Sequence, residues 1–160
     1  MNLNEYLKRI KCENLTNKNK VTLENLRLLH ASHLLAIPWE NFSLAQNDRV
    51  TMNLEKIYDK VIRRGRGGFC FELNQLFAWL LRELGYELKI ISCRNFQMLA
   101  QEFHPWSGHM AILVTFKSGE IFLCDVGHSS SPRYPLEFVT NKIQQGAIGH
   151  YKIVTFSLLL

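Results

Sequence analysis

The chain has no Cys-x-x-Cys pair and no Cys/His cluster at zinc-ligand spacing, which excludes a zinc site. Its four cysteines, Cys12, Cys70, Cys93 and Cys124, are scattered, so for a cytoplasmic chain free thiols are the default. No apolar run approaches the roughly 18 residues of a membrane helix. The N-terminus, MNLNEYLKRIKCENL, mixes charges and lacks an apolar stretch followed by a small-residue cleavage site. No secretory signal is read there, and a cytoplasmic protein is expected. No Gly-Lys-Ser/Thr follows the glycines at 65–68, which excludes a phosphate-binding P-loop. Repeats of 20–50 residues and low-complexity tracts are missing too.

What is present is one ordinary domain's worth of chain: 160 residues, 47% hydrophobic and 21% charged. The net charge of +5 sits wholly in residues 1–66, which hold 12 Lys/Arg against 7 Asp/Glu. This excess reads as a solvated face, with attraction of cofactor or nucleic-acid phosphates as the alternative. A single Arg-Gly-Gly element without interleaved aromatics makes no stacking platform, and no nucleic-acid partner is expected.

Apolar spacing predicts four helices. Leu3, Tyr6, Leu7 and Ile10 mark the first. Thr22 caps the second, whose inward face carries Leu26, Leu29, His30 and His33 before Pro38 stops it. Asn53 caps the third. The fourth repeats Leu73, Leu76, Phe77, Leu80, Leu81 and Leu84, with Gly85 as its left-handed stop. From residue 86 the pattern turns extended, over 86–95, 109–116 and 121–126, the last two joined as a hairpin through Lys117-Ser118-Gly119-Glu120. Helices at 1–85 followed by strands at 86–160 indicate an α+β architecture.

The turn Arg63-Arg64-Gly65-Arg66-Gly67-Gly68-Phe69 delivers Cys70 to the first turn of the fourth helix. There unpaired N–H groups and the helix dipole stabilise a thiolate, so Cys70 is the candidate nucleophile, with a small buried core residue as the alternative. A nucleophilic cysteine needs a base and an orienting acid. His109 and Asp125 lie near the open end of one hairpin. A two-residue turn would send their side chains to opposite faces, so an odd turn or a bulge is expected. His30 and His33 read as structural, His104 and His128 as flanking, and Cys93 and Cys124 as strand core.

Taken in order, several strings resemble the arylamine N-acetyltransferases. They are Tyr6-Leu7-Lys8-Arg9-Ile10, the run from Leu26 to His33, Ile37-Pro38-Trp39-Glu40-Asn41-Phe42, Arg66-Gly67-Gly68-Phe69-Cys70-Phe71-Glu72-Leu73-Asn74, Gly108-His109-Met110 and Asp125-Val126-Gly127. The resemblance implies a papain-like arrangement: an N-terminal helical bundle (1–85) and a partial antiparallel β-barrel (86–160); the family's third α/β lid domain is expected to be absent. It implies Cys70, His109 and Asp125 as a triad, acetyl-coenzyme A as acyl donor, an arylamine or hydrazine as acceptor, and no metal. Glu40 and Arg66 are expected to pair as support for the turn, with Arg9 nearby. Phe42, Phe69, Phe96 and Trp106 are candidate pocket residues, with plain core as the alternative. The Phe71 N–H is a candidate oxyanion donor, and Phe71, Gly108 and Gly127 are candidate substrate- or cofactor-binding residues. The family's Asp-Val-Gly-Phe-Gly departs here to His128-Ser129-Ser130-Ser131-Pro132, which alters the wall beside the triad. The alternatives are a weakly active interaction protein, with a homodimer covering exposed apolar surface, and a cysteine hydrolase.

Overall fold

The computed structural model describes residues 1–15, 21–45, 51–128, 130–147 and 149–155. The predicted helices form as α1 (Leu3–Arg9), α2 (Leu23–Ala36), α4 (Leu54–Tyr58) and α5 (Cys70–Glu83), with a short α3 (Phe42–Ala45) between. Thr22 Oγ1 accepts the Asn25 N–H and Asn53 Oδ1 the Lys56 N–H, as the capping signals required. Past Tyr58 the chain widens into a π-helical turn, Asp59–Arg63, in which the Arg64 N–H reaches back to the Asp59 carbonyl. That turn was not foreseen.

The strands are β1 (Glu87–Cys93), β2 (Phe96–Gln97), β3 (Glu102–Phe103), β4 (His109–Thr115), β5 (Ile121–Cys124), β6 (Leu136–Glu137), β7 (Ile143–Gln145) and β8 (His150–Lys152). They make an open antiparallel sheet of order β1-β4-β5-β6 and two local hairpins, β2-β3 and β7-β8. Among the described residues the sheets are open and no closed barrel forms, where a partial barrel was expected. The physical reason is that β2, β3, β7 and β8 satisfy their backbones with sequence neighbours, leaving β1 and the two-residue β6 as sheet edges.

The β4–β5 register pairs Ile112 with Cys124 and Thr115 with Ile121, enclosing a three-residue turn at 117–119. Gly119 takes the left-handed φ of +92° that such a turn requires. This odd turn was expected, and it gives His109 and Asp125 the same parity. Ile112, Val114, Phe122 and Cys124 of the other parity enter the core. One continuous apolar cluster runs from Tyr6 to Val126, centred on the buried Leu73, Leu76, Phe77, Leu80 and Leu81 of α5. This packing fixes α5 against β1 and β4, and so fixes Cys70 against His109.

Candidate active site

Cys70 is the first residue of α5, and its Sγ lies 3.8 Å from the Gly108 carbonyl oxygen. His109, the first residue of β4, presents Nε2 to Asp125 Oδ2 at 2.7 Å. With Nε2 taken, Nδ1 is the nitrogen left to face Cys70, which lies close enough to raise the proton affinity of His109. The three residues singled out from spacing therefore meet. Burial alone lowers the affinity of His109 for a proton, but hydrogen bonds and charge from Asp125 and Cys70 outweigh it and lift His109 to about 9. Burial likewise opposes charge on Asp125, yet bonds from His109, Asn74 and the Gly127 N–H hold it below the usual carboxylate range.

Two supports surround these groups. The first lies under the turn before Cys70. Lys60, buried and on the π-helical turn, bonds both carboxylate oxygens of Glu72 at 2.8 and 3.1 Å and lies 3.6 Å from Glu40. Arg66 meets Glu40 at 3.0 Å, the pairing expected from the motif. Glu72 also accepts the Phe69 N–H at the start of α5, while Glu40 accepts that of Phe42. Arg9 donates to the carbonyls of Ala36 and Gly65, bracing the turn through backbone. Gly67 is needed because a Cβ there would lie 2.0 Å from the Pro38 carbonyl oxygen. Gly67 thus admits neighbouring protein backbone, while Gly68 makes room for the Glu72 side chain.

The second support holds Asp125. Asn74, fully buried one turn after Cys70, donates to Asp125 Oδ1 at 2.9 Å and to the Met110 carbonyl at 2.8 Å, and accepts the Val126 N–H. Gly127 donates to the same Oδ1, and a Cβ on it would lie 2.7 Å from the Cys70 Cα. Lys60 and Asn74 were not read from sequence as site supports. The available signal was a polar side chain on an otherwise apolar helix face.

The remaining candidates are more dispersed. Phe69 packs against Phe71, ring centroids 5.9 Å apart, on either side of Cys70. Phe96 packs edge-on against Phe103 in the β2-β3 hairpin, while Phe42 and Trp106 are 65% and 72% exposed. Cys93 is half-buried and stands directly across from His109 in the β1–β4 register, closer to the site than its strand-core reading implied. The His128 ring lies 5.4 Å from that of His109; Ser129 is outside the described residues. Among the described residues no cluster of three metal-ligating side chains occurs, and no helix is long and apolar enough to cross a membrane.

A helix-borne cysteine facing a histidine at the start of one strand and a carboxylate just past the end of its neighbour is the papain-like class of arrangement. Comparison with known proteins gives the family. A family profile described as N-acetyltransferase matches residues 22–157. The chicken pineal gland arylamine N-acetyltransferase isozyme is 32% identical over 95% of this chain and 52% of its own length. Human arylamine N-acetyltransferase 1 is 31% identical over 90% of the chain and 49% of its own length. The Mycobacterium marinum arylamine N-acetyltransferase structure superposes with a TM-score of 0.87 at 32% identity, covering 98% of this chain and 58% of that one. A second M. marinum structure, in complex with CoA, gives 0.84 at 33% identity, covering 94% and 56%. The chain belongs to the arylamine N-acetyltransferase family, and it spans about half the length of the curated relatives it matches.

Proposed function

We propose that this chain carries out two-step acetyl transfer from acetyl-coenzyme A to an arylamine or hydrazine through a thioester on Cys70. The observation that carries the reading is the contiguous Cys70–His109–Asp125 chain with Asp125 2.7 Å from His109. The Cys70 thiolate, paired with the His109 imidazolium, attacks the acetyl thioester carbon. As the tetrahedral adduct collapses, the bond to coenzyme A breaks and the departing thiolate takes the proton from His109. The acceptor nitrogen then attacks the acetyl-Cys70 carbonyl, gives its proton to His109, and Cys70 leaves as thiolate. Asp125 keeps the imidazole oriented through both steps. N–H groups at the start of α5, Phe71's included, face the developing oxyanion.

Support comes from the family membership and from a relative's structure holding CoA. In this reading the helical residues 1–85 supply the nucleophile and residues 86–160 the base and acid. Phe69, Phe71, Gly108 and Gly127 border the reacting centre, with Phe42, Phe96 and Trp106 further out on the acceptor side. No observation favours the hydrolase or interaction-protein readings over transfer. Stopped-flow mixing with acetyl-coenzyme A tests the order of steps: one equivalent of free coenzyme A thiol is released as a burst before any amine is added. Release that waits for the amine contradicts the thioester route.

A further inference from the structure

His30 is fully buried in the middle of α2, its ring edge-on to Phe77 with centroids 5.8 Å apart. Its Nε2 accepts the backbone N–H of Asp125 at 3.1 Å, and its Nδ1 lies 3.0 Å from the Arg133 carbonyl oxygen. An amide N–H only donates and a carbonyl oxygen only accepts. Both partners therefore demand one tautomer, with the proton on Nδ1 and the lone pair on Nε2. A doubly protonated ring would set its Nε2–H against the Asp125 N–H. Burial acts in the same direction, pushing His30 down to about 4 despite the nearby Asp125 charge.

The position of this contact matters. The β4–β5 ladder ends at the Ile112–Cys124 pair, and the next N–H along, that of Asp125, bonds the imidazole. The following N–H, that of Val126, bonds Asn74 on α5. Consecutive amides are thus anchored by neutral groups from two different helices, while the carboxylate is left to Asn74, Gly127 and His109.

The geometry points to His30 as a positioning residue for acyl transfer: a neutral imidazole that fixes the backbone of Asp125 and so aims Oδ2 at His109 Nε2. The assignment rests on the acyl-transfer reading of Cys70, His109 and Asp125. It acts through Asp125, with no contact to substrate required of it.

The test is the pH profile of Cys70 alkylation by iodoacetamide, followed by intact mass with Cys70→Ala as the control, in two variants of matched bulk. His30→Leu removes the acceptor, and labelling at pH 6 falls by about 10–100-fold, the usual effect of losing an orienting partner. His30→Gln returns an amide oxygen to the Asp125 N–H and keeps the rate within about threefold of wild type. A folded His30→Leu protein with the wild-type rate and profile overturns the assignment, as does a folded His30→Gln protein as slow as His30→Leu. Should either variant fail to fold, the 15N spectrum of the wild-type histidines decides: an Nδ1–H neutral His30 at pH 6 is expected, and an Nε2–H tautomer or an imidazolium overturns it. Wild-type protein whose Cys70 labels slowly at pH 6 sinks the acyl-transfer reading itself, which is a different outcome from unchanged His30→Leu.

Discussion

The turn before Cys70 and the cradle around Asp125 solve the same problem by opposite means. Under the turn, two cations, Lys60 and Arg66, meet two anions, Glu40 and Glu72, in a buried or half-buried set whose charges cancel. Around Asp125 the holding groups are uncharged: His30, Asn74 and the Gly127 N–H. The difference follows from what each region must leave free. The turn needs only a fixed shape, so its charges compensate one another. Asp125 must keep its negative charge available to His109, and a cation beside it would compete for that charge.

The strongest way to break this comparison is to cut both regions and read two signals. Lys60→Ala leaves Glu72 and Glu40 without their buried cation and lowers stability by about 3–5 kcal/mol, seen as a fall in the denaturant midpoint. Replacing Lys60 and Glu72 together by Met and Leu recovers much of that loss. In protein still folded, Cys70 labelling at pH 6 is little changed. Asn74→Ala does the reverse: it strands the Val126 N–H and the Met110 carbonyl, costs on the order of 1–3 kcal/mol for each, and slows Cys70 labelling at pH 6 more than tenfold. Equal labelling in the two variants would erase the distinction between shape support and charge support.

Gly127→Ala sharpens the account of where the two halves touch. A methyl group 2.7 Å from the Cys70 Cα must displace α5 or the strand end, which lowers stability by on the order of 1–3 kcal/mol. Thermal denaturation against pH reads the buried histidines. His30 and His33 are pushed by burial to about 4 and about 3, so the unfolded chain binds protons that the native one refuses as pH falls below 6.5. Stability drops across that window. His109, lifted to about 9 against its burial, contributes stability that is complete below 6.5 and fades as pH rises through 9. The Tm is expected to peak near pH 6.5, and a Tm that keeps rising down to pH 4 contradicts the neutral His30.

Much of this was legible from local sequence. Caps at Thr22 and Asn53, the apolar stripe of α5 and the parity of the β4–β5 hairpin depend on residues close in the chain. The meeting of His109 with Asp125 required that parity, and the odd turn supplies it. The Glu40–Arg66 pair came with the motif. Lys60, Asn74 and His30 were harder, because each is defined by partners on other elements, up to 103 residues away for His30 and Arg133. The π-helical turn that brings Lys60 inward has no simple sequence period, and sheet closure depends on strands that pair locally instead.

The most direct test of the central claim is the intact mass of the protein after brief incubation with acetyl-coenzyme A. The wild-type chain gains a single acetyl group, loses it when an arylamine or hydrazine is added, and the Cys70→Ala variant gains none. A folded wild-type protein that remains unmodified, or a Cys70→Ala variant that is acetylated as readily, contradicts the account.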